Sequence, residues 1–237
     1  RDHLAPSHPA LNLVHGDALQ VSLEPMIAEP GWLAVANLPY NVATPILFRL
    51  LELGTDRPGR GPEDFAATEA RGPEDFAGTE ARGPEHFAGM EPPPFRRLAL
   101  MFQKEVAERI CAAPGTKQFG ALSLNVRLFA TGSVAFKLKP GAFSPPPAVD
   151  SAVVVLEPIE GMAISDPALR QVYREVVAAA FAQRRKTIRN SMQSRWPTDA
   201  VEGWLAQAGI DPRVRAEKLG FEEFAELARV VSAGDGV

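Results

Sequence analysis

Residues 32–45 read Trp32-Leu33-Ala34-Val35-Ala36-Asn37-Leu38-Pro39-Tyr40-Asn41-Val42-Ala43-Thr44-Pro45, and the rest of the fold can be worked out from this stretch. The apolar run at 33–36 predicts a buried strand in the middle of a parallel sheet. We expect the following helix to be capped by Asn41 or Thr44, to have Pro45 in its first turn and to run to about Leu53. Since ligands of open α/β sheets bind where strands end at their carboxyl edge, the tetrapeptide at 37–40 lies where chemistry is expected.

The tetrapeptide at 37–40 suits a flat substrate that has an amine. Pro39 has no N–H and biases Leu38 away from helical angles, so backbone carbonyls here can point into a cleft. Asn37 adds a side-chain carbonyl and an amide donor, and Tyr40 adds an aromatic face on which a base can stack. The alternative is a strand that simply ends in an Asn-Pro turn, and four residues alone do not separate the two.

The composition limits the classes of protein to which the chain can belong. Its 237 residues are 46% hydrophobic, which is enough for one large domain or two smaller ones. No apolar run approaches the roughly 20 residues of a membrane span, and no secretory pattern is recognised, so no membrane partner is expected. The single Cys111 cannot form an intrachain disulfide and fits a reducing cytoplasm. The four histidines show no metal-ligand spacing, so no metal is expected.

The charge of the chain is unevenly spread. A net charge of −4 argues against a general polyanion binder. One run of cations nevertheless has no acid within it: Arg184, Arg185, Lys186, Arg189 and Arg195. A solvated surface is the ordinary interpretation of such a run, whereas its place beside the expected cleft favours contacts with phosphate groups.

Two further segments can each be interpreted in two ways. Residues 11–15 alternate like a strand and stop at Gly16-Asp17-Ala18, where the Asp17 carboxylate could accept a hydrogen bond from a ligand amine or could form an ordinary turn. The segment 143–149 is a proline-stiffened loop. Phe143 in this loop is either a preformed platform for a ligand or a buried side chain of a connector.

Apolar periodicity predicts the other elements. Strands are expected at 97–102, 134–138 and 149–156, and helices at 103–110, 117–129, 168–182, 186–192, 200–208 and 221–231, with a short helix starting at Asp211-Pro212. An 11-residue unit that begins at Arg60 repeats at Arg71 and Arg82. Because every copy contains Gly-Pro and only one aromatic residue, residues 55–95 are predicted to form a disordered or loosely turned surface insertion.

Taken in order, six segments resemble the ribosomal RNA adenine dimethyltransferase family, the bacterial enzymes that dimethylate two adjacent adenines near the end of small-subunit rRNA. The segments are 16–18, 37–41, 103–109, 119–123, 143–151 and 181–190. Each is weak alone, but six matches in the family's order are specific. The resemblance implies an α/β fold with a Rossmann-like class I S-adenosylmethionine-dependent methyltransferase sheet, here lacking its first strands, and a small C-terminal helical domain.

The resemblance also implies roles for individual residues. The catalytic set would hold the target amine and stack on the flipped adenine: Asn37, Leu38, Pro39, Tyr40 and Phe143. The residues that bind the cofactor, S-adenosyl-L-methionine, would be Asp17, Ala18 and again Asn37, which would lie between this methyl donor and the amine. The residues that bind RNA would be Arg184, Arg185, Lys186 and Arg189.

The chain also departs from the family pattern. No Gly-x-Gly-x-Gly motif occurs in the sequence. In the family, the first strand, the glycine-rich loop and the acidic residue that binds the donor's ribose precede the point at which Arg1 begins. We therefore expect the chain to be a fragment that binds S-adenosylmethionine weakly or not at all.

The expected organisation is a partial catalytic domain at 1–165, with the insertion at 55–95, and a helical RNA-binding domain at 166–237. The expected partner is rRNA in a precursor of the small ribosomal subunit, and the protein is expected to be a cytoplasmic monomer. Two alternatives stay open: a resistance-type dimethylase of large-subunit rRNA, and a non-catalytic RNA-binding, ribosome-assembly or transcription factor derived from the same fold. The Phe143 loop and the stretch 184–186 favour the small-subunit enzyme over the resistance type.

Overall fold

The computed structural model describes residues 12–27, 31–53, 94–159 and 163–234. The strands in these ranges form one mixed sheet in the order β1-β2-β4-β3: β1 (Trp32–Asn37), β2 (Phe95–Gln103), β3 (Ala130–Leu138) and β4 (Ser151–Pro158). Strand β1 is parallel to β2, whereas β4 is antiparallel to both β2 and β3. The helices are α1 (Ala43–Glu52), α2 (Lys104–Ile110), α3 (Ala121–Arg127), α4 (Pro167–Phe181), α5 (Ile188–Met192), α6 (Thr198–Gln207) and α7 (Phe221–Gly234).

Strand β2 lies at the centre of the described core. Its alternate residues Leu98, Leu100 and Phe102 are completely buried, as the two-residue period of a strand requires. Helix α1 contributes Leu47 and Phe48 to the same core. Each such side chain contributes about 1.5–3 kcal/mol to folding stability when it is buried. This packing therefore fixes where β1 ends and α1 begins relative to the rest of the sheet.

The C-terminal helices are joined to the sheet layer through α4. This helix begins where expected, because Asp166 accepts a hydrogen bond from the Ala168 N–H at 2.8 Å and Pro167 occupies the first turn. The buried Tyr173 donates its hydroxyl to the Leu124 carbonyl of α3 at 3.3 Å. Burial raises the pKa of this hydroxyl well above its usual value.

Several predicted elements are confirmed. The expected strand at 97–102 is β2, and the expected helices at 103–110, 168–182 and 221–231 are α2, α4 and α7. The helix predicted from 117 begins only at Ala121, within α3. The insertion predicted at 55–95 lies outside the described residues, apart from the last two positions, Pro94 and Phe95.

Four local predictions are wrong. Residues 12–15 form no strand, since no described strand lies beside them to complete a ladder. Strand β1 is an edge strand of the described sheet rather than a buried middle strand, and Val35 is 82% exposed. Neither Asn41 nor Thr44 caps α1, whose N-cap is Val42 without a side-chain bond. Asp211-Pro212 starts a turn and not a helix.

None of the helices in the described ranges is both long and apolar enough to cross a bilayer. Nor do those ranges contain a cluster of three or more side chains suited to hold a metal ion.

Candidate active site

The tetrapeptide at 37–40 leaves two polar groups available at the tip of β1. Leu38 is buried in the core, whereas the preceding Asn37 is exposed. The Pro39 carbonyl accepts the Val42 N–H at 3.1 Å and closes the turn from which α1 starts. Within the described part of the chain, no donor reaches the Leu38 carbonyl and the Asn37 side chain makes no hydrogen bond. Both groups can therefore bind a ligand at the carboxyl end of the strand.

Tyr40 is held in place by a residue distant in the sequence. Its hydroxyl lies 2.5 Å from the Ser151 hydroxyl. Ser151 is completely buried at the start of β4, where it pairs with Gln103 of β2 and Leu138 of β3. A buried hydroxyl needs a hydrogen-bond partner, so this contact fixes one end of the half-buried Tyr40 ring.

Phe143 lies in the loop that connects β3 to β4. Both ends of this loop lie next to Ser151, because Leu138 at the end of β3 pairs with Ser151 at the start of β4. The two loop ends are joined by the Lys139–Asp150 ion pair at 2.8 Å, and the Lys104 N–H of α2 bonds the Asp150 carbonyl at 2.9 Å. The hydrogen bond from Lys139 holds the pKa of the Asp150 carboxyl below its usual value. The Phe143 ring is half-buried.

The turn at Asp17 is held against α1. The Asp17 carboxylate accepts the Leu19 N–H at 2.8 Å, so the ordinary turn is present. Arg49 of α1 donates to the Ala18 carbonyl at 2.7 Å and also to the Val21 carbonyl. A side chain at Gly16 would place its Cβ 2.4 Å from a methyl carbon of Val21, so any larger residue before Asp17 would force either Val21 or the turn to shift.

No acid interrupts the basic run at 184–195 in the sequence, but in the fold two of its arginines pair with carboxylates of other segments. Arg189 pairs with Glu202 and Arg195 pairs with Glu175, both at 2.5 Å. The exposed cations of this run for which the described residues provide no ion pair are Arg184, Arg185 and Lys186. Only this part of the run has its charge fully available for an anion.

Comparison with known proteins identifies the family of the chain. The profile of the ribosomal RNA adenine dimethylase family matches residues 1–232. The chain belongs to that family. It is therefore an S-adenosylmethionine-dependent rRNA adenine dimethyltransferase by family, which confirms the resemblance, the enzyme class and the methyl donor predicted from the sequence.

Curated members of the family align over nearly all of the chain. The ribosomal RNA small subunit methyltransferase A of Dinoroseobacter shibae is 39% identical over 236 residues, which cover 98% of this chain and 69% of that protein. The protein of the same name from Syntrophotalea carbinolica is 36% identical over 225 residues, which cover 92% of this chain and 69% of that protein.

Two solved structures share the fold. The 23S rRNA methyltransferase ErmE superposes with a TM-score of 0.58 at 17% identity, over 96% of this chain and 75% of that one. A dimethyladenosine transferase from Plasmodium falciparum gives 0.54 at 20% identity, over 90% and 70%. These likenesses confirm the predicted α/β methyltransferase fold class.

The groups at the Asp17 turn fit the adenine end of the family's methyl donor. Asp17 and Ala18 are exposed. One Asp17 oxygen is bonded to Leu19, and the other has no partner among the described residues. The Ala18 N–H has no acceptor there either. A carboxylate acceptor beside an N–H donor complements the amine and the ring nitrogen of an adenine edge, so these residues would hold that end of S-adenosylmethionine.

Two residues of the candidate site were not predicted from the sequence. Ser151 lies in the matched segment 143–151, but nothing local indicates its contact with Tyr40, 111 positions away. Arg49 is the one cation of α1, and its place on a mostly apolar helix was a usable indication of a specific contact.

Proposed function

We propose that the chain transfers methyl groups to the N6 amine of adenines in small-subunit rRNA. The observation that supports this most strongly is the tip of β1, where the Leu38 carbonyl and the Asn37 amide, neither bonded within the described residues, lie next to the tethered Tyr40 ring. The curated relatives named above are small-subunit methyltransferases. Their names support the small subunit as the source of the RNA.

In the proposed mechanism, the chain positions the target amine. The Asn37 side-chain oxygen and the Leu38 carbonyl accept its two N–H groups, which aims the nitrogen lone pair away from the strand. Pro39 keeps Leu38 out of helical geometry, so its carbonyl stays available. S-adenosylmethionine, when bound, supplies a methyl group on a positively charged sulfur. The amine loses its proton after the transfer, so a strong general base is not needed.

Stacking offsets the cost of extruding the base. Removing an adenine from its stack costs a few kcal/mol, and each aromatic face returns roughly 1–3 kcal/mol. We propose Tyr40 and Phe143 as the two faces. Holding the reactants in line then lowers the barrier by several kcal/mol, since their freedom of movement is already lost at binding.

We propose that residues 166–237 form an RNA-binding domain and residues 1–165 the catalytic part. Arg184, Arg185 and Lys186 have no ion pair among the described residues, and they support this division because phosphate contacts need available charge. Arg189 belongs to the same proposed surface, although it shares its guanidinium with Glu202. An rRNA substrate in a precursor of the small subunit implies a cytoplasmic location, and we propose that the protein acts there as a monomer.

The test is a product analysis on isolated ribosomal subunits that lack the modification. The donor is supplied at millimolar concentration so that its binding does not limit the reaction. Mass spectrometry of the digested RNA should find N6,N6-dimethyladenosine in small-subunit RNA and none in large-subunit RNA. Product in large-subunit RNA would replace the proposal by the resistance-type enzyme. Binding of RNA without any product would replace it by a non-catalytic RNA-binding protein.

A further inference from the structure

A cavity of 410 Å³ lies apart from the tetrapeptide at 37–40, none of whose residues lines it. Three segments form its walls: the connection between α2 and α3, the loop after α4, and the turn at 215–217. The cavity therefore lies between the proposed catalytic and RNA-binding parts, and we call it the interdomain cavity. Its size is within the range of about 300–1,000 Å³ that is typical of ligand pockets.

The walls of the interdomain cavity are rich in positive charge. The cations that line it are Arg109, Lys117, Arg184, Lys186 and Arg215. They come from stretches that lie far apart in the sequence, so their convergence cannot be seen in any one segment. Only Arg184 and Lys186 belong to the basic run.

Carboxylates balance only part of this charge. Arg109 pairs with Glu105 at 2.8 Å, and Arg215 lies 3.9 Å from Glu217. Within the described ranges, no acid pairs with the other three lining cations: Lys117, Arg184 and Lys186. A concave site lined by uncompensated charge of one sign concentrates ions of the opposite sign, so an anion is the expected ligand.

The walls are held together before any ligand arrives. The Gly115 N–H bonds the Glu217 carbonyl at 2.6 Å, which joins the α2–α3 connection to the C-terminal turn. Phe119 is buried below, and its ring meets that of Phe181 edge-on at 6.3 Å. A cavity that is already formed loses little entropy when it binds.

We propose that the interdomain cavity binds a backbone phosphate of the RNA substrate. This rests on the proposed function, because it assigns a further contact to the same RNA. Arginine offers a planar fork that fits phosphate oxygens and lysine offers a mobile point charge, and both kinds surround the cavity. The RNA backbone can enter from the exposed loop at 184–186, whose Arg185 side chain lies outside the cavity.

The experiment removes lining cations that the basic run does not include. Lys117→Ala and Arg215→Ala are compared with Arg213→Ala, which removes the same charge from an exposed side chain two residues from Arg215 and outside the cavity. Affinity for a fluorescent single-stranded RNA with the sequence of the methylated region is measured by anisotropy between 50 and 200 mM salt. Unfolding curves of each variant show whether it is folded.

The logarithm of the RNA association constant falls linearly with the logarithm of the salt concentration, and each lost phosphate contact makes this slope shallower by about 0.7 for single-stranded RNA. The loss of affinity in Lys117→Ala and Arg215→Ala should then be about 2.6-fold larger at 50 mM than at 200 mM salt. Lys117→Arg should restore the wild-type slope. Slopes equal to that of Arg213→Ala in both alanine variants, or a slope in Lys117→Arg no different from that in Lys117→Ala, would overturn the proposal.

A titration with inorganic phosphate distinguishes an RNA backbone phosphate from a free anion as the ligand of the interdomain cavity. It is titrated against the wild-type protein by calorimetry at constant ionic strength. Binding at millimolar concentration or weaker, together with the slope changes above, supports an RNA phosphate. Micromolar binding of inorganic phosphate with unchanged RNA slopes would show a site for a free anion and overturn the proposal. A wild-type protein that binds no RNA would count against the proposed function itself, whereas intact binding with unchanged slopes counts against the cavity alone.

Discussion

The hydrogen bond between Tyr40 and Ser151 predicts an asymmetric response to the loss of either hydroxyl. Tyr40→Phe leaves the completely buried Ser151 hydroxyl without a partner, and an orphaned buried polar group costs about 1–3 kcal/mol. Ser151→Ala leaves the hydroxyl of the half-buried Tyr40, which can turn to water. We expect that variant to lose less than about 1 kcal/mol, since only the net value of one hydrogen bond is removed.

The double variant separates the bond from the effects of each side chain. In Tyr40→Phe/Ser151→Ala no buried hydroxyl is left unpaired, so its stability should be close to that of Ser151→Ala alone. The expected coupling is therefore equal in size to the loss in Tyr40→Phe, about 1–3 kcal/mol, which is within the range for directly contacting residues. Urea unfolding of the four proteins measures it. Equal losses in the two single variants, or additive losses within about 0.5 kcal/mol, would refute the reasoning.

Three further results are expected. Arg49→Met removes the hydrogen bonds to both the Ala18 and the Val21 carbonyl. Calorimetry should then show donor affinity reduced up to about tenfold with RNA affinity unchanged, and equal donor affinity would contradict this. Arg174→Met should lose about 1.5–3 kcal/mol of stability in urea unfolding, because it removes a charge-assisted hydrogen bond to the buried Glu52 at 2.7 Å. Arg174→Met/Glu52→Gln should lose less, and equal losses would contradict the prediction. Burial raises the pKa of the Cys111 thiol to about 11, so its thiolate fraction at pH 8 should be about a hundredfold lower than that of an ordinary thiol. The rate of Cys111 alkylation should therefore rise with pH up to about 11, and a plateau near pH 9 would contradict this prediction.

The elements that could be predicted from the sequence are those whose pattern is local. The helix expected at 168–182 is α4 within one residue at each end, because an N-cap, a proline and an apolar stripe all lie within one segment. The place of β1 in the sheet could not be predicted, because strand order depends on pairing with distant segments. The apolar residues at 33–36 are equally compatible with a middle and an edge strand.

The candidate site, too, could be predicted from the sequence only where its residues are neighbours in the chain. The residues at 37–40 and at 17–18 were singled out because their chemistry lies within a few neighbouring positions. The tether from Ser151 to Tyr40, the clamp from Arg49 and the pair between Arg189 and Glu202 were missed, since each joins residues between 13 and 111 positions apart. The roles of the predicted site residues stay predictions until variants are measured.

The methyl-transfer role of the β1 tip can be tested by separating turnover from RNA affinity in Asn37→Ala. With donor at millimolar concentration, this variant should form no dimethyladenosine, because the amine is no longer oriented. It should bind RNA within about twofold of the wild type, since Asn37 carries no charge and does not line the interdomain cavity. Asn37→Asp keeps an acceptor oxygen and should retain measurable turnover. Unchanged turnover in Asn37→Ala, beside a wild-type protein that is active, would contradict the account.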